Sequence, residues 1–288
     1  MTVMFSDREI ETLRGWDRIS SHFRQRYLSR TKTAISLKDI AFREVYGKLM
    51  KEAIQHAPKH SFVLKTDLWN EGVEDGRDLL SIVATNFPDT FLVGTDISQH
   101  VCESAKNLRR CDYQIVRCTL LASPFQPIFD FIIDASTVDH MPERLRTLWV
   151  SAESSMLKPG GTLLISFDNR LNLFTEMYHR FITRRRYPEW TLLPSAISLL
   201  LKKQGLDLVR SHAIFLVGLF WGTHRPQFPF SNFLTSRGIL GLLMKLELSK
   251  HSRLLSFIAP QYVIVARKAK DSRKDLKTRS VPVGRSSA

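Results

Sequence analysis

The chain has 288 residues, 43% of them hydrophobic, and a formal net charge of +14, which is enough for one α/β core with appended helices. Its three cysteines, Cys102, Cys111 and Cys118, are irregularly spaced, which excludes a disulfide framework and favours a reducing, cytoplasmic compartment. The N-terminus lacks an apolar signal core, and the most apolar segments, 192–201 and 213–221, are shorter than the roughly 20 residues of a membrane-spanning helix.

Apolar periodicity predicts helices first, and then an alternation of strands and helices. One helix is expected after Ser6 and Asp7 and another over 37–54, so residues 1–60 should form a helical cap. The alternation that follows predicts a parallel sheet with helices on both faces. The expected strands are 61–66, 91–95, 113–117, 129–134 and 161–167, and the expected helices are 77–85, 101–108 and 142–156.

The chain changes character after this core, which we expect to span residues 61–169. Residues 170–258 are aromatic, basic and poor in acids, and we expect them to form a lid or subdomain outside the sheet. The run 262–266 (YVIVA) should return to the sheet as its last strand, within 259–267. Residues 268–288 have almost no apolar content, which predicts a disordered basic tail.

Asp96 stands at the carboxyl end of the second expected strand, after Gly94 and Thr95. Parallel α/β sheets bind ligands at this edge, where a carboxylate can accept both hydroxyls of a ribose. Asp96 therefore indicates a cofactor that contains a nucleoside. The alternative is that Asp96 caps the N-terminus of the following helix.

Other cofactor classes lack their motifs in this sequence. A nicotinamide dehydrogenase should carry GxGxxG after its first strand, and a P-loop nucleotide hydrolase should carry GxxxxGK[ST]; neither is present. No spacing of His, Cys and carboxylate residues suggests zinc, so no metal is expected.

Five segments together resemble the class I S-adenosylmethionine (SAM)-dependent methyltransferases: FVLKTDLWNEG, FLVGTDIS, the PF pair at 124–125, FDFIID and LKPGGTLLI. The resemblance covers residues 60–168 and 262–266. It implies a Rossmann-like three-layer α/β/α sandwich with a mostly parallel, seven-stranded sheet. The last strand is then antiparallel, beside the outer neighbour of the fifth. The implied activity is methyl transfer from SAM to an O or N atom of a small-molecule or glycan-type acceptor.

The first loop departs from this family, in which an acidic residue is followed by closely spaced glycines that let the backbone approach the cofactor. Here Lys65 takes the acidic position. Asp67, Glu71 and Gly72 are the nearest substitutes, and they are expected to contact SAM. The departure favours a second hypothesis, in which the protein is catalytically inactive and binds a partner through its basic lid.

The resemblance places further cofactor contacts after the later strands. Ile97 is expected beside the adenine. Thr119 can offer an oxygen to the adenine amino group, or it simply ends its strand. Asp134 and Ser136 are expected at the amino-acid end of SAM.

Asp139 and His140 lie in the loop that faces the transferable methyl group in the resembled fold. Either could orient or deprotonate the acceptor. The imidazole of His140 is the best general base near neutral pH, provided that it reaches the proton of the acceptor. A base is optional where in-line positioning is sufficient. The alternative role for His140 is packing and capping before the helix at Pro142.

The positive charge lies outside the expected core. Basic residues exceed acidic ones by 5 in residues 1–60, by 8 in 171–266 and by 6 in 267–288, whereas acids exceed bases by 5 in 61–170. The basic flanks, including 184–186 (RRR), could attract an anionic, phosphorylated or lipid-linked acceptor, or an anionic membrane surface. Nucleic acid is not an expected partner. The alternative is a solvated surface with a disordered tail.

Overall fold

The computed structural model describes residues 37–54, 58–69, 71, 78–178, 180–181, 190–214, 241–242, 245–246, 249 and 255–270. The helices in these ranges are α1 Leu37–Ile54, α2 Leu79–Asn86, α3 Gln99–Leu108, α4 Glu143–Met156, α5 Leu173–Tyr178 and α6 Pro194–Lys203. The strands are β1 Phe62–Lys65, β2 Phe91–Asp96, β3 Gln114–Arg117, β4 Phe129–Ala135, β5 Leu157–Asp168, β6 Leu206–Ile214 and β7 Gln261–Lys268. Short 3-10 turns cover Leu120–Ala122 and Val138–His140.

The strands form one seven-stranded sheet in the order β3-β2-β1-β4-β5-β7-β6. Strands β1 to β5 pair in parallel, and β7 is antiparallel to both β5 and β6. The expected mostly parallel sheet is therefore confirmed. The last strand pairs with β5 itself, with Ile264 opposite Ile165, as well as with the outer strand β6.

The expectation that residues 170–258 lie outside the sheet is wrong for one segment. Leu206–Ile214 forms the edge strand β6, which pairs with β7 along its length. Asp207 and Arg210 hide this strand in the sequence, because they interrupt its apolar pattern. An edge strand tolerates them, since the first half of β6 faces solvent and its register shifts between Leu208 and Arg210.

Alternate residues of the central strands point to opposite faces of the sheet. In β4, Phe131 and Ile133 pack in the apolar cluster that includes α1, α2 and α3. Ile132 packs in the second cluster, which includes α4 and α6. The sheet is therefore covered on both faces, which confirms the three-layer α/β/α sandwich.

Helix α1 coincides with the helix expected over 37–54. It buries Val45, Tyr46 and Leu49 on the same face of the sheet as α2 and α3. Residues 1–36 and 55–57 of the expected cap, and residues 271–288 of the expected tail, lie outside the described residues. No helix in the described ranges has both the length and the apolarity needed to cross a membrane.

Residues 159–161 (PGG) lie in the first part of β5. Gly160 has φ +82°, in the left-handed region that favours glycine. At Gly161, a Cβ atom would lie 2.9 Å from the carbonyl oxygen of Lys158. Both glycines are therefore needed where the chain leaves α4 and enters the sheet.

The position of β7 between β5 and β6 predicts that its core residues carry much of the stability. Ile264 is fully buried between β5 and β6, so Ile264→Ala should lower the free energy of unfolding by about 2–5 kcal/mol. Leu208→Ala on β6 is the control, because Leu208 is 45% exposed. Urea denaturation measures both. Equal losses for the two variants would contradict the arrangement of β7.

Candidate functional site

Polar groups from the loops after β1, β2 and β4 meet at the carboxyl edge of the sheet. The backbone N–H of Leu68 donates to Asp96 Oδ2 at 3.0 Å, which joins the first loop to the second. The hydroxyl of Thr137 donates to Asp67 Oδ2 at 3.3 Å, which joins the third loop to the first. The adjacency of β2, β1 and β4 thus brings Asp67 and Asp96 into one network at the edge where such sheets bind ligands.

Asp96 is half-buried and is held by two backbone donors. Its Oδ1 accepts from the N–H of Ser98 at 2.8 Å, and its Oδ2 accepts from Leu68. The residue that caps α3 is Ser98, whose Oγ accepts from Val101, so Asp96 is not the N-cap. Burial raises the pKa of Asp96 to about 6, although the two N–H donors oppose this shift.

Gly94 allows the first loop to lie against β2. A Cβ atom on this residue would lie 2.4 Å from Cδ2 of Leu68, which is fully buried. A side chain at this position would therefore have to displace the buried side chain of Leu68, whose backbone N–H binds Asp96. Gly94 is required for close approach, and its backbone adopts an ordinary strand conformation.

Lys65 is a buried ammonium at the end of β1, with 1% of its side chain exposed. Its Nζ lies 3.0 Å from Asp67 Oδ2 and 3.5 Å from Glu71 Oε1, and it donates to the carbonyl oxygen of Asp67 at 2.5 Å. Burial lowers the pKa of Lys65, but the two carboxylates outweigh burial and raise it overall. The first loop is therefore organised around a protonated lysine.

Glu71 connects this lysine to the start of α2. Its Oε1 and Oε2 accept from the backbone N–H groups of Leu79 and Leu80, at 3.2 and 3.1 Å. Burial raises its pKa well above the ordinary value, and the charge of Lys65 opposes this. These contacts satisfy orphan donors at a helix N-terminus. Gly72, the next expected cofactor contact, lies outside the described residues.

Asp134 is fully buried at the end of β4. Its Oδ1 accepts from the N–H of Thr137 at 2.8 Å, and its Oδ2 accepts from Nε1 of Trp149 at 3.0 Å. Burial raises the pKa of Asp134 to about 6. Burial, and then the nearby charge of Asp134, raise the pKa of buried Glu153 in α4 well above its ordinary value. Asp134 thus fixes the loop that carries Ser136, whose φ of +63° lies in the left-handed region.

Asp139 is buried and connects three parts of the chain. Its Oδ2 accepts from the N–H of Asp168 at 2.9 Å, and its carbonyl oxygen accepts from the N–H of Trp190 at 2.8 Å. It therefore ties the β4 loop to the end of β5 and to the segment before α6. His140 is half-buried in the same 3-10 turn, and its N–H donates to the carbonyl of Thr137 at 3.0 Å. The proton-transfer role expected of His140 stays a prediction.

Ile97 follows Asp96 in the chain, and Thr119 lies two residues beyond Arg117, the partner of Asp96 in β3; both Ile97 and Thr119 are half-buried. The carbonyl of Ile97 accepts from Nε of Arg117 at 3.2 Å. Thr119 Oγ1 accepts from the N–H of Leu121 at 3.4 Å, capping the turn that follows β3. Its hydroxyl hydrogen can still be donated. The adenine contacts expected of both residues stay predictions.

Sequence reasoning missed three residues that support this site, namely Tyr46, Thr137 and Trp149. Trp149 lies on the buried face of α4 with Leu145, so its spacing indicates only a core position. Tyr46 of α1 is buried near Ser166, and burial raises the pKa of its phenol above the ordinary value. No local pattern predicts that either side chain reaches the carboxyl edge. Among the described side chains, no group of three or more His, Cys, Asp or Glu residues could hold a metal ion.

No protein-family model and no curated protein matches this sequence. Several solved structures are similar. A magnesium protoporphyrin IX methyltransferase from Synechocystis PCC 6803 with bound SAH has a TM-score of 0.58 at 11% identity, covering 91% of this chain and 100% of that one. SAM-dependent methyltransferases from Archaeoglobus fulgidus and Methanosarcina mazei each have a TM-score of 0.50.

The Archaeoglobus fulgidus protein is 15% identical to this chain, and the match covers 78% of this chain and 94% of that one. The Methanosarcina mazei protein is 12% identical, and the match covers 75% of this chain and 96% of that one. At such low identities the similarity shows the fold alone. The chain therefore has the fold of the class I SAM-dependent methyltransferases, as the sequence resemblance implies.

The buried ion cluster predicts a large cost for removing its cation. Lys65→Met leaves the fully buried Glu71 without its counter-charge, which should lower the free energy of unfolding by about 3–5 kcal/mol in urea denaturation. The control is Lys158→Met, because Lys158 is 40% exposed and pairs with Asp130 at 2.8 Å. It should cost about 1 kcal/mol or less.

A double variant tests the electrostatic cause. Adding Glu71→Gln to Lys65→Met should recover part of the lost stability, because the buried group that has lost its cation is then a neutral amide. If Lys65→Met costs no more than Lys158→Met, the first loop does not depend on its ion pairs.

Proposed function

We propose that this protein is a SAM-dependent methyltransferase that transfers a methyl group to an O or N atom of a small-molecule or glycan-type acceptor. The observation that carries the proposal is the geometry of Asp96 on a methyltransferase fold. Its carboxylate is held at the end of β2 by two backbone donors, at the edge where parallel sheets bind ligands.

The ribose end of SAM fits the residues at this edge. An ionised carboxylate offers about four acceptor positions, and the N–H groups of Leu68 and Ser98 use two of them. The remaining two suit the paired hydroxyls of a ribose. Ile97, next to Asp96, supplies an apolar surface for the adenine, and Thr119, after β3, supplies a hydroxyl.

Asp67 suits the amino-acid end of SAM. Its side chain is 18% exposed, and Lys65 and Thr137 bind its Oδ2 from the protein side. Oδ1 accepts only the N–H of Trp69 among the contacts described, at 3.2 Å, and it can also accept from an ammonium group. Ser136 completes the proposed contacts.

In this proposal, Glu71 and Asp134 support the cofactor site without contacting the cofactor. Both carboxylates are fully buried and accept hydrogen bonds from within the protein, Glu71 from α2 and Asp134 from Thr137 and Trp149. They position the loops that carry Asp67 and Ser136.

When bound, SAM supplies a methyl group made electrophilic by the adjacent sulfonium. The chain's task is then to align the acceptor and to take up its proton. We assign the proton to the imidazole of His140, which lies in the turn that follows Ser136 and Thr137. Asp139 holds that turn against β5 through Asp168.

A second candidate is a methyltransferase-like binding module that does not turn over. It is favoured by the first loop, in which Lys65 takes the acidic position and the closely spaced glycines of the resembled family are largely missing. Such a protein would bind its partner through the basic lid. It would bind neither SAM nor SAH, and calorimetric titration of the wild type with both compounds separates the two candidates.

Removing the proposed ribose ligand should weaken cofactor binding. Charge-assisted hydrogen bonds contribute about 1.5–3 kcal/mol each, so Asp96→Ala should raise the Kd for SAM at least about tenfold. Asp96→Asn should lose less, because its amide oxygen still accepts. Asp89→Ala is the matched control, since Asp89 is exposed before β2 at the opposite edge.

His140→Ala should leave the affinity for SAM unchanged, since the proposal gives His140 no cofactor contact. Isothermal titration calorimetry measures all four variants. If the wild type binds SAM and Asp96→Ala binds it equally well, the ribose assignment is wrong.

The raised pKa of Asp96 predicts a pH dependence of SAM binding. The ionised form is the better acceptor, and with a pKa of about 6 it is lost as the pH falls through that value. Affinity should therefore fall by about tenfold between pH 7 and pH 5. In Asp96→Asn this dependence should disappear, whereas a dependence that persists would assign the titration to another group.

A further inference from the structure

Helix α5 turns large apolar side chains toward solvent and polar ones toward the protein. Leu173, Phe174 and Met177 are exposed, Phe174 by 80%. At about 100° per residue these three positions share one stripe of the helix. Asn172, just before the helix, is buried, and Glu176 is half-buried. A surface helix that packs on a core shows the reverse arrangement.

The loop before β7 repeats this inversion. Phe257 is 71% exposed and Ile258 is exposed, whereas their neighbours Ser256 and Ala259 are buried. The loop lies beside α5, because Nδ2 of Asn172 donates to the carbonyl of Ile258 at 2.5 Å. The two segments therefore form one apolar patch, which consists of Leu173, Phe174, Met177, Phe257 and Ile258.

The apolar patch lies at the carboxyl edge of the sheet. The N–H of Asn169, just after β5, donates to the carbonyl of Pro260 at 2.8 Å, just before β7 begins. Asp168, at the end of β5, donates its N–H to Asp139 of the candidate site. The patch and the candidate site thus occupy the same edge of the molecule.

Arginines flank the apolar patch. Arg170 and Arg180 are exposed at either end of α5, and the guanidinium of Arg180 lies 6.0 Å from the ring centre of Phe181, which is also exposed. Residues 171–266 contain 12 Lys and Arg against 4 Asp and Glu. Exposed apolar side chains beside cationic ones match the two layers of an anionic lipid surface, where acyl chains take the former and headgroup phosphates the latter.

We propose that the apolar patch docks this protein on bilayers that contain anionic lipids. A nucleic acid would use the arginines and the phenylalanine rings for phosphates and stacked bases, and would leave Leu173, Met177 and Ile258 unused. A free phosphate ion would engage the arginines alone. The docking stands independently of methyl transfer; where the proposed function also holds, it brings the candidate site to an acceptor carried in the membrane.

Co-sedimentation with lipid vesicles tests the docking, using the full chain. The wild type should bind phosphatidylserine-containing vesicles, bind pure phosphatidylcholine vesicles more weakly, and lose affinity as salt screens the arginines. The double variant Leu173→Ser/Phe174→Ser should bind at least about tenfold more weakly, because two large apolar side chains are removed from the interface. Leu208→Ser is the control, since this exposed leucine lies on β6 near the opposite edge of the sheet.

Thermal unfolding followed by circular dichroism checks that both variants are folded, and SAM titration should give the same Kd for both as for the wild type. The two measurements are independent: membrane docking can fail while SAM binding is intact, and SAM binding can fail while membrane docking is intact. The proposal is overturned if the wild type does not bind anionic vesicles, or if Leu208→Ser weakens binding as much as the double variant does. Binding to single-stranded RNA without binding to vesicles would also overturn it.

Discussion

A buried ammonium group needs opposite charges and hydrogen bonds beside it, because burial removes the water that hydrates it. Lys65 meets this requirement with Asp67 and Glu71, and it thereby fixes the course of the first loop. Glu71 in turn holds the first turn of α2. The position of Leu68 follows from this course, and through its N–H so does the orientation of Asp96. The carboxyl edge is therefore one electrostatic unit that reaches from α2 to β2.

This construction differs from a glycine-rich loop in how it presents groups to a cofactor. Glycines let the backbone come close, whereas this loop presents the carboxylate of Asp67 with a lysine behind it. Lys65 pairs with Oδ2 of Asp67, and a carboxylate in this position suits an ammonium ligand. The loop that follows β4 is also fixed from the inside, because Trp149 and Thr137 engage Asp134. Side-chain contacts thus maintain the positions that backbone geometry maintains in the resembled family.

Local sequence patterns predicted the strands whose residues are mostly apolar, and the residues that stand at the ends of those strands. Strands β1 to β5 and β7 follow from short apolar runs, and Asp96 follows from its place at the end of one. Strand β6 could not be predicted, because Asp207 and Arg210 are acceptable only at a sheet edge, and edges are set by the global strand order. The ties made by Asp139 were equally hidden. Its partners Asp168 and Trp190 are distant in sequence. They bind Asp139 through backbone N–H groups, which every residue except proline has, so no residue type in the sequence indicates these contacts.

The same strand order explains why the candidate site and the apolar patch share an edge. Because β7 runs antiparallel to β5, its first residue, Gln261, pairs with the last residue of β5, Asp168. The loop that carries Phe257 must therefore meet the segment that leaves β5 toward α5. At the start of α5, Asn172 binds the protein: its Nδ2 donates to the carbonyl of Ile258, and its Oδ1 accepts from the N–H of Thr175. The exposed apolar stripe of α5 is thus a consequence of how the chain leaves the sheet, and it lies at the same edge of the sheet as Asp139 and His140.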